Sequence, residues 1–491
     1  MKTDKYQLYT TKEIAKILKV SLITVKRYLK ENKILSVKIG GARRVRKEDF
    51  ENFIKSQQLT EIYKNLEKDI KISYIDNFKK LVNFSTNLEK PIHRWFNIKE
   101  GYSEDLVNNL IKRYKINSGY ILDPFSGSGT TLISGLKNNI NTIGFEINPF
   151  LAFLSKIKIS SKVSKRIKKH LEKIKKLNKR RKFSKPKLSI IDKLFKENLR
   201  IILATKNYID KINNKDDQNI LKLAFLCSLE ESSYAKKDGN GLKYPKNKKP
   251  KKFLYVFDKK IEEIITDTKK RNYNTENSLL FNIDSRLIYD FLKNRTKLDS
   301  KDYLKQKSIN HLKKLIGKIN LTVFSPPYMN CFDYTEIYKV ELWMGDFVKE
   351  YDDLKFIRND SISSHLNKTY YENINFDNQY VSFFKNLLSE KKLWDKKIPF
   401  MVNDYFRDIA EVLKSIYVLL KKKGRCVIVV GNSAYGSIAI PTDLILGKIG
   451  LEAGFKKVEI EVTRKLGTSS QQYKTINKRE LLRESLVILE K

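Results

Sequence analysis

The chain has 491 residues, a formal net charge of +43 and a hydrophobic share of 41%. That share excludes a disordered chain, and the length predicts two or three domains. The positive charge favours a polyanionic partner, most simply a nucleic acid. No stretch is long and apolar enough for a membrane span, and the scattered cysteines and histidines predict neither a disulfide framework nor a metal site. For these reasons we expect neither a membrane nor a metal as a partner. Because the N-terminus also lacks an apolar signal core, we expect a cytoplasmic protein.

The first predicted unit covers residues 1–56 and combines helices with a short hairpin. Two helices, KEIAKILKV and LITVKRYLKEN, are followed by strands around Gly40 and Gly41 and by a closing helix, EDFENFI. This order resembles the winged helix-turn-helix of excisionase and MerR-type DNA-binding domains, which implies DNA binding; a small helical cap on an enzyme is the alternative. The candidate DNA contacts are Thr24 and Arg27 on the second helix and Arg43 and Arg44 in the hairpin.

Residues 57–83 have a charged helical pattern and are predicted to form a helical connector. An aromatic segment, PIHRWFNIKEGYS, follows at 91–103. Taken by itself, this segment is as consistent with a partly buried loop held by Arg94 as with a binding loop.

A strand, a tight turn and a helix are predicted over YILDPFSGSGTTLISGLKNN, residues 120–139. The turn contains Gly127 and Gly129, which permit backbone conformations and a close ligand approach that side chains would prevent. The helix that begins near Thr130 offers unpaired N–H groups to a polar ligand. A second strand, NTIGFE, ends in Glu146, where nucleotide-binding α/β folds hold ribose hydroxyls.

Residues from about 155 to 275 are predicted to form a largely helical, basic insertion. Positions 161–200 hold 17 Lys or Arg against three acids. Their apolar residues recur too sparsely for a core helix, so we expect a mostly solvated helix or arm. Its charge is consistent with a surface that follows the phosphates of a nucleic acid. Most runs of charged residues, however, simply form a solvent-exposed face.

The sheet pattern resumes near residue 278 and includes a strand, LTVFSPPY, at 321–328. DPFSGSGTT and Ser325-Pro326-Pro327-Tyr328 together resemble the two signature motifs of the amino-group DNA methyltransferases, which act on N4 of cytosine or N6 of adenine. The resemblance implies a Rossmann-like α/β sheet over residues 84–491, S-adenosylmethionine as cofactor and double-stranded DNA as substrate. The order of the motifs is the reverse of that in many family members, which leaves the position of the target-recognition region open.

The resemblance also assigns roles to individual residues. The candidate cofactor-binding residues are Asp123, Pro124, Phe125, Gly127, Gly129, Thr130, Glu146 and Asp284, the last lying in NIDSR at 282–286. The candidate catalytic residues are Ser325, Pro326, Pro327 and Tyr328. The aromatic segment at 91–103 resembles the part of the family that covers the methionine end of the cofactor, and the irregular region 345–398 is a second candidate for DNA contacts.

The exocyclic amines of cytosine and adenine are weak nucleophiles because the nitrogen lone pair is delocalised into the ring of the base. Ser325 and the Pro326 carbonyl can accept the amine hydrogens, while Tyr328 offers a face for a flipped base. Serine at the first motif position goes mostly with cytosine N4 in the family and aspartate mostly with adenine N6, so cytosine is favoured and adenine is the alternative. An RNA methyltransferase and a DNA-binding regulator with an inactive methyltransferase domain are weaker alternatives, and a cognate restriction endonuclease is a further candidate partner.

Overall fold

A computed structural model describes residues 7–75, 78–178, 183–239, 241–293, 310–467, 476 and 478–491. The chain divides into two compact units, Met1–Asp69 and Ile70–Lys491. No described helix combines the length and apolar composition that a membrane-spanning segment requires.

The N-terminal unit is a helix-turn-helix with a three-stranded sheet. Its elements are β1 (Leu8–Thr10), α1 (Thr11–Leu18), α2 (Leu22–Lys30), β2 (Val37–Ile39), β3 (Ala42–Arg46) and α3 (Lys47–Glu67). Ser21 caps α2 by accepting a hydrogen bond from the backbone N–H of Thr24. Gly40 and Gly41 both have positive φ, so they permit the tight turn between β2 and β3. Ile14, Val25, Leu29, Val45 and Phe50 lie in its core.

The structure differs from the helical connector expected over 57–83. Helix α3 runs without a break from Lys47 to Glu67, because no glycine or proline ends it near residue 56. After the boundary between the two units, Lys71–Tyr74 form a strand of the large sheet instead of a helix.

The second unit contains one large sheet and many helices. Its strands are β4 (Lys71–Tyr74), β5 (Tyr120–Asp123), β6 (Asn141–Phe145), β7 (Lys236–Asp238), β8 (Gly241–Lys243), β9 (Ser278–Phe281), β10 (Ile319–Phe324), β11 (Leu420–Gly431), β12 (Ser433–Tyr435), β13 (Ile438–Ile440), β14 (Lys457–Lys465) and β15 (Arg483–Glu490). Its helices include α4 (Glu104–Arg113), α5 (Thr130–Lys137), α6 (Pro149–Ser160), α7 (Arg166–Lys175), α8 (Ile191–Phe195), α9 (Leu199–Asp210), α10 (Lys215–Ser228), α11 (Phe253–Lys269), α12 (Ile288–Leu292), α13 (Tyr334–Ile337), α14 (Lys339–Met344), α15 (Tyr351–Asp360), α16 (Gln379–Ser389), α17 (Ile398–Leu419) and α18 (Thr442–Glu452).

The large sheet has the order β4-β14-β15-β11-β10-β5-β6-β9. Strands β11, β10, β5, β6 and β9 run parallel, which confirms the predicted α/β fold. The alternating tail segments VEIEVTR (458–464) and ESLVILE (484–490) predict an antiparallel edge pair. The pair is present as β14 and β15, but β4 lies outside it, so it is not at the edge of the sheet. The carboxyl ends of β5, β6, β9 and β10 meet at one edge of the sheet, where α/β proteins bind ligands. The glycine-rich turn and the Ser-Pro-Pro-Tyr motif both follow strands at that edge.

The helical insertion lies between β6 and β9 and is packed more tightly than the sequence suggests. In α7 the residues Ile167, Leu171 and Ile174 are buried in the main hydrophobic core. They recur at the spacing of one helical face, so a few apolar residues are enough to fix a basic helix to the core. The prediction that the apolar residues are too sparse for a core helix was therefore wrong for α7, although most of its other residues are exposed, as expected.

Candidate active site

The glycine-rich turn between β5 and α5 has the backbone geometry that its glycines permit. Gly127 and Gly129 have φ values of 51° and 81°, in the left-handed region. A Cβ atom at Gly127 would lie 3.0 Å from Cδ1 of Ile98, and one at Gly129 would lie 2.8 Å from Oγ of Ser155. Any larger residue would therefore be strained and would fill the space next to the turn.

Asp123, at the end of β5, is buried and bonded to its neighbours on both sides. One carboxylate oxygen accepts a hydrogen bond from the Phe125 backbone (2.9 Å), and the other accepts one from the hydroxyl of Tyr102 (2.8 Å). Burial raises the pKa of Asp123 to about 6, against the opposing effect of these hydrogen bonds. Asp123 therefore holds the turn and the preceding loop together from behind the pocket.

Glu146, directly after β6, is also buried and faces the turn. Its carboxylate accepts hydrogen bonds from the backbone N–H groups of Gly127 (2.7 Å) and Asn148 (2.8 Å). Burial raises the pKa of Glu146 to about 7, while those backbone bonds oppose the shift. An ionised carboxylate has about four acceptor positions, so roughly two remain for a ligand.

One pocket unites residues of both predicted motifs. Its empty space, including the open mouth, is about 1030 Å³, enough for a nucleotide-sized ligand. The predicted site residues in its wall are Pro124, Phe125, Gly127, Thr130, Glu146, Asp284, Ser325 and Pro327. The remaining ones in this unit, Asp123, Gly129, Pro326 and Tyr328, belong to the described chain but do not form part of the wall.

Asp284, just after β9, is held in place by Arg286. Its carboxylate accepts hydrogen bonds from the Arg286 backbone (2.9 Å), Nε (2.9 Å) and Nη2 (2.6 Å). Arg286 also pairs with Asp408 on α17, with 3.1 Å between Nη1 and Oδ2. These contacts fix the orientation of Asp284 and use most of its acceptor capacity.

The aromatic segment at 91–103 is anchored by the insertion and reaches the pocket. Asp267 on α11 accepts hydrogen bonds from Arg94 (2.6 Å from Nη2), from Trp95 Nε1 (2.9 Å) and from the Ile92 backbone (2.8 Å). Downstream of this anchor, residues 98–102 line the pocket. The insertion thus supports a pocket wall in addition to displaying positive charge.

A further part of the pocket wall comes from the region that follows Ser-Pro-Pro-Tyr. Asp333 accepts hydrogen bonds from Thr335 (2.8 Å) and from Arg358 Nε (3.0 Å). His365 is buried in the same wall, 3.1 Å from the hydroxyl of Ser361, and burial lowers its pKa. Part of the irregular region 345–398 therefore lies at the pocket itself.

Sequence reasoning did not identify Glu484 and Arg464, which lie behind the Ser-Pro-Pro-Tyr motif. The hydroxyl of Tyr328 donates to Glu484 Oε1 at 2.8 Å, and Arg464 donates to the other carboxylate oxygen. Both partners are in the C-terminal strands β14 and β15, and no local motif marks them. Only the antiparallel pairing of the tail points to their position.

The four individual residues predicted to contact DNA lie in the N-terminal unit. Thr24 and Arg27 are on α2, and Arg27 is exposed. Arg43 and Arg44 are on β3, where Arg43 donates a hydrogen bond to Ser36 (3.0 Å). Arg27 and Arg43 are exposed and Arg44 is half-buried, and a helix and a hairpin of one small core support all three.

The strand order, the glycine-rich turn and the adjoining Ser-Pro-Pro-Tyr motif define the fold of an S-adenosylmethionine-dependent methyltransferase. Residues 92–157 match the profile of the DNA methylase family, and residues 8–58 match a helix-turn-helix domain. The chain is 29% identical to Type II methyltransferase M.BsoBI of Geobacillus stearothermophilus, over 84% of this chain and 88% of that protein. It is 30% identical to Type II methyltransferase M.AvaI of Nostoc sp., over 82% of this chain and 87% of that protein. Type II methyltransferase M.MvaI of Kocuria varians is 24% identical, over 78% of this chain and 85% of that protein.

The chain therefore belongs to the amino-group family of Type II DNA methyltransferases and carries an N-terminal helix-turn-helix domain. Membership of this family implies S-adenosylmethionine as the methyl donor.

Proposed function

We propose that this enzyme transfers a methyl group from S-adenosylmethionine to the exocyclic N4 of cytosine, in a base flipped out of duplex DNA. The observation that carries the proposal is one pocket lined by the glycine-rich turn and by Ser325 and Pro327. Cytosine is favoured because the first motif position holds the neutral hydroxyl of Ser325, which avoids burying the charge of a carboxylate beside the base. Adenine N6 is the alternative.

The pocket residues fit the cofactor in shape and chemistry. Glycine at position 127 keeps the space beside the turn open for a ligand, since a Cβ atom there would extend into it and contact Ile98. Thr130 begins a helix whose free N–H groups favour polar ligand atoms. Glu146 retains acceptor positions for the ribose hydroxyls of the cofactor. Asp284, oriented by Arg286, would face the amino group of the cofactor's adenine. Pro124 and Phe125 supply apolar wall, and Asp123 and Gly129 fix the turn from behind. When bound, the cofactor supplies a methyl group activated by a positive sulfonium.

The remaining chemistry is positioning by the chain's own groups. Ser325 Oγ and the Pro326 carbonyl accept hydrogen bonds from the target amine, so that its nitrogen lone pair becomes available; Pro327 restricts the turn that presents them. A covalent route through the nearby Cys331 is disfavoured, because burial raises the pKa of its thiol to about 11.

The identity of the methylated base is tested by nucleoside analysis. Unmethylated DNA is incubated with the purified enzyme and S-adenosylmethionine, digested to nucleosides and measured by mass spectrometry. We expect 4-methylcytosine. Recovery of 6-methyladenine alone would overturn the cytosine assignment and leave the site and its mechanism intact, and no methylation of any base would overturn both.

We also propose that the N-terminal unit binds DNA phosphates through Arg27, Arg43 and Arg44, with Thr24 beside them on α2. Replacing Arg43 and Arg44 by alanine should weaken DNA binding and reduce the slope of log affinity against log salt by about two at most, because each phosphate contact contributes roughly one. The slope is measured by fluorescence anisotropy across a salt series. The matched control removes two exposed charges from α1, Lys12 and Lys16. An equal change in both double variants would show that only total charge matters and not these contacts.

A cognate restriction endonuclease is proposed as a functional partner, because the relatives are Type II methyltransferases. DNA modified by this enzyme should then resist cleavage by that endonuclease.

A further inference from the structure

Trp394 differs from the other tryptophans of the chain in its exposure. The chain has three tryptophans; Trp95 and Trp343 are 1% exposed, whereas Trp394 is 67% exposed. A single exposed apolar side chain is common on protein surfaces and by itself indicates nothing. Tryptophan is nevertheless enriched where a surface binds a partner, so the surroundings of Trp394 decide what its ring can do.

The residues around Trp394 carry a strong positive charge. Residues 391–397 read KKLWDKK, and we refer to them as the tryptophan loop; all four of its lysines are exposed. Its one acid, Asp395, accepts a hydrogen bond from the backbone N–H of Lys397 at 2.7 Å and so shapes the turn within the loop. Because lysines attract phosphates and an aromatic ring can stack on a base, this composition is typical of surfaces that bind nucleic acids.

The hairpin of β12 and β13 connects the tryptophan loop to the Ser-Pro-Pro-Tyr motif. On one side, the hydroxyl of Tyr435 donates a hydrogen bond at 2.8 Å to the carbonyl oxygen of Met329, the residue that directly follows the motif. On the other side, Gly436 lies so close to the loop that a Cβ atom on it would be 2.9 Å from Cδ2 of Leu393. Leu393 is the residue before Trp394, so the hairpin links the exposed ring to the motif.

Two further contacts place the tryptophan loop beside the pocket. Nζ of Lys397 donates a hydrogen bond to the carbonyl oxygen of Leu366 at 3.0 Å, and the residue before Leu366, His365, lines the pocket. Met401, near the start of α17, lies 3.8 Å from Cys331, measured between the two sulfur atoms. The exposed tryptophan ring is therefore carried by a loop that borders the pocket wall and the segment after the catalytic motif.

We propose that Trp394 contacts the DNA substrate and stacks on a base next to the target base, while the lysines of the tryptophan loop pair with nearby phosphates. The proposal rests on the proposed function, in which the target base flips into the pocket. A base that leaves the duplex exposes the faces of its neighbours, and an aromatic ring can replace the lost stacking partner. Trp394 thus becomes a specific DNA contact within the region 345–398.

Tryptophan fluorescence tests this contact, because stacking on a base quenches the emission of the ring. The probe is a short duplex with a site that the enzyme methylates, located by mapping the modified bases in treated DNA, and S-adenosylhomocysteine replaces the methyl donor. We expect this duplex to quench the emission. A duplex with the same bases in scrambled order should quench it less, because no base is flipped there. In Trp394→Phe the quenching should disappear, since Trp95 and Trp343 are buried.

The affinity for the same duplex separates stacking from general attraction. Trp394→Leu removes the aromatic ring and should weaken binding about 30-fold, the middle of the range for one ring stacked on a base, whereas Trp394→Phe should stay within about threefold. The matched control is Tyr255→Leu on α11. Tyr255 is 64% exposed and lies in a similar stretch, KKFLYVFDKK, so its replacement should leave the affinity unchanged. The affinity for S-adenosylmethionine should be unchanged in all three variants.

The outcomes separate this contact from the proposed function. Quenching that persists in Trp394→Phe, or that is equal for the two duplexes, would overturn stacking beside a flipped base. Equal losses of affinity in Trp394→Leu and Trp394→Phe, or in Trp394→Leu and Tyr255→Leu, would overturn it as well. Normal methylation together with unchanged affinity in Trp394→Leu would reject the contact alone. If the wild-type enzyme methylated no DNA, the proposed function would fail, and this inference would fail with it.

Discussion

Replacing Ser325 by alanine is expected to lower kcat by about 100- to 1000-fold, the range seen when one preorganised hydrogen-bonding group is removed from a reaction centre. In the proposed mechanism the hydroxyl contacts the amine most strongly as the nitrogen becomes tetrahedral, so its loss should act on the chemical step. The affinity for S-adenosylmethionine should change by less than about threefold, because Glu146 and the turn residues are untouched. Single-turnover transfer of labelled methyl groups to DNA measures the first quantity, and calorimetry measures the second.

The matched control for this prediction is Ser415→Ala. Ser415 is buried on α17, and its hydroxyl donates to the Glu411 carbonyl of the same helix at 3.1 Å. Its replacement should leave both measurements unchanged. An unchanged single-turnover rate in Ser325→Ala would remove Ser325 from the reaction centre, whichever base is methylated.

The sequence predicts the parts of this enzyme that local patterns encode. Asp123 and Ser325 each mark the end of an apolar strand, and parallel strands place their carboxyl ends together, so a shared pocket follows. The tail alternates with period two, which predicts the pairing of β14 with β15. The order of the two motifs also predicts that the cofactor region precedes the catalytic motif along the chain.

The parts that the sequence does not predict depend on contacts between distant residues. Tyr328 and Glu484 are 156 positions apart, and Arg94 and Asp267 are 173 apart. Neither pair has a periodic pattern around it, because only the assembled sheet brings the partners together. For α7, a count of charged residues conceals three apolar residues at helical spacing, which are enough to place it in the core.

Replacing Glu146 by glutamine is expected to weaken S-adenosylmethionine binding by about 100-fold, since two hydrogen bonds to a charged acceptor contribute roughly 3 kcal/mol. The amide also places N–H groups against the N–H of Gly127 or Asn148, which now donate to the carboxylate. Calorimetry with S-adenosylmethionine measures the loss. Glu461→Gln is the control, because it removes a buried carboxylate away from the pocket and should not change this affinity.

The pH dependence of cofactor affinity tests the same carboxylate. Burial raises the pKa of Glu146 to about 7, and ribose hydroxyls need the ionised form as acceptor, so affinity should be full above pH 7 and fall below it. Between pH 8 and pH 6 the wild-type affinity should drop about tenfold, as expected for one proton taken up with a pKa near 7. Asp123, whose pKa is raised to about 6, is half protonated at pH 6 and therefore adds at most about a twofold fall by that pH. Glu146→Gln retains Asp123 and should show a nearly flat profile from pH 8 to pH 6. An equal drop in the variant would assign the pH dependence to another group and remove Glu146 from the cofactor contacts.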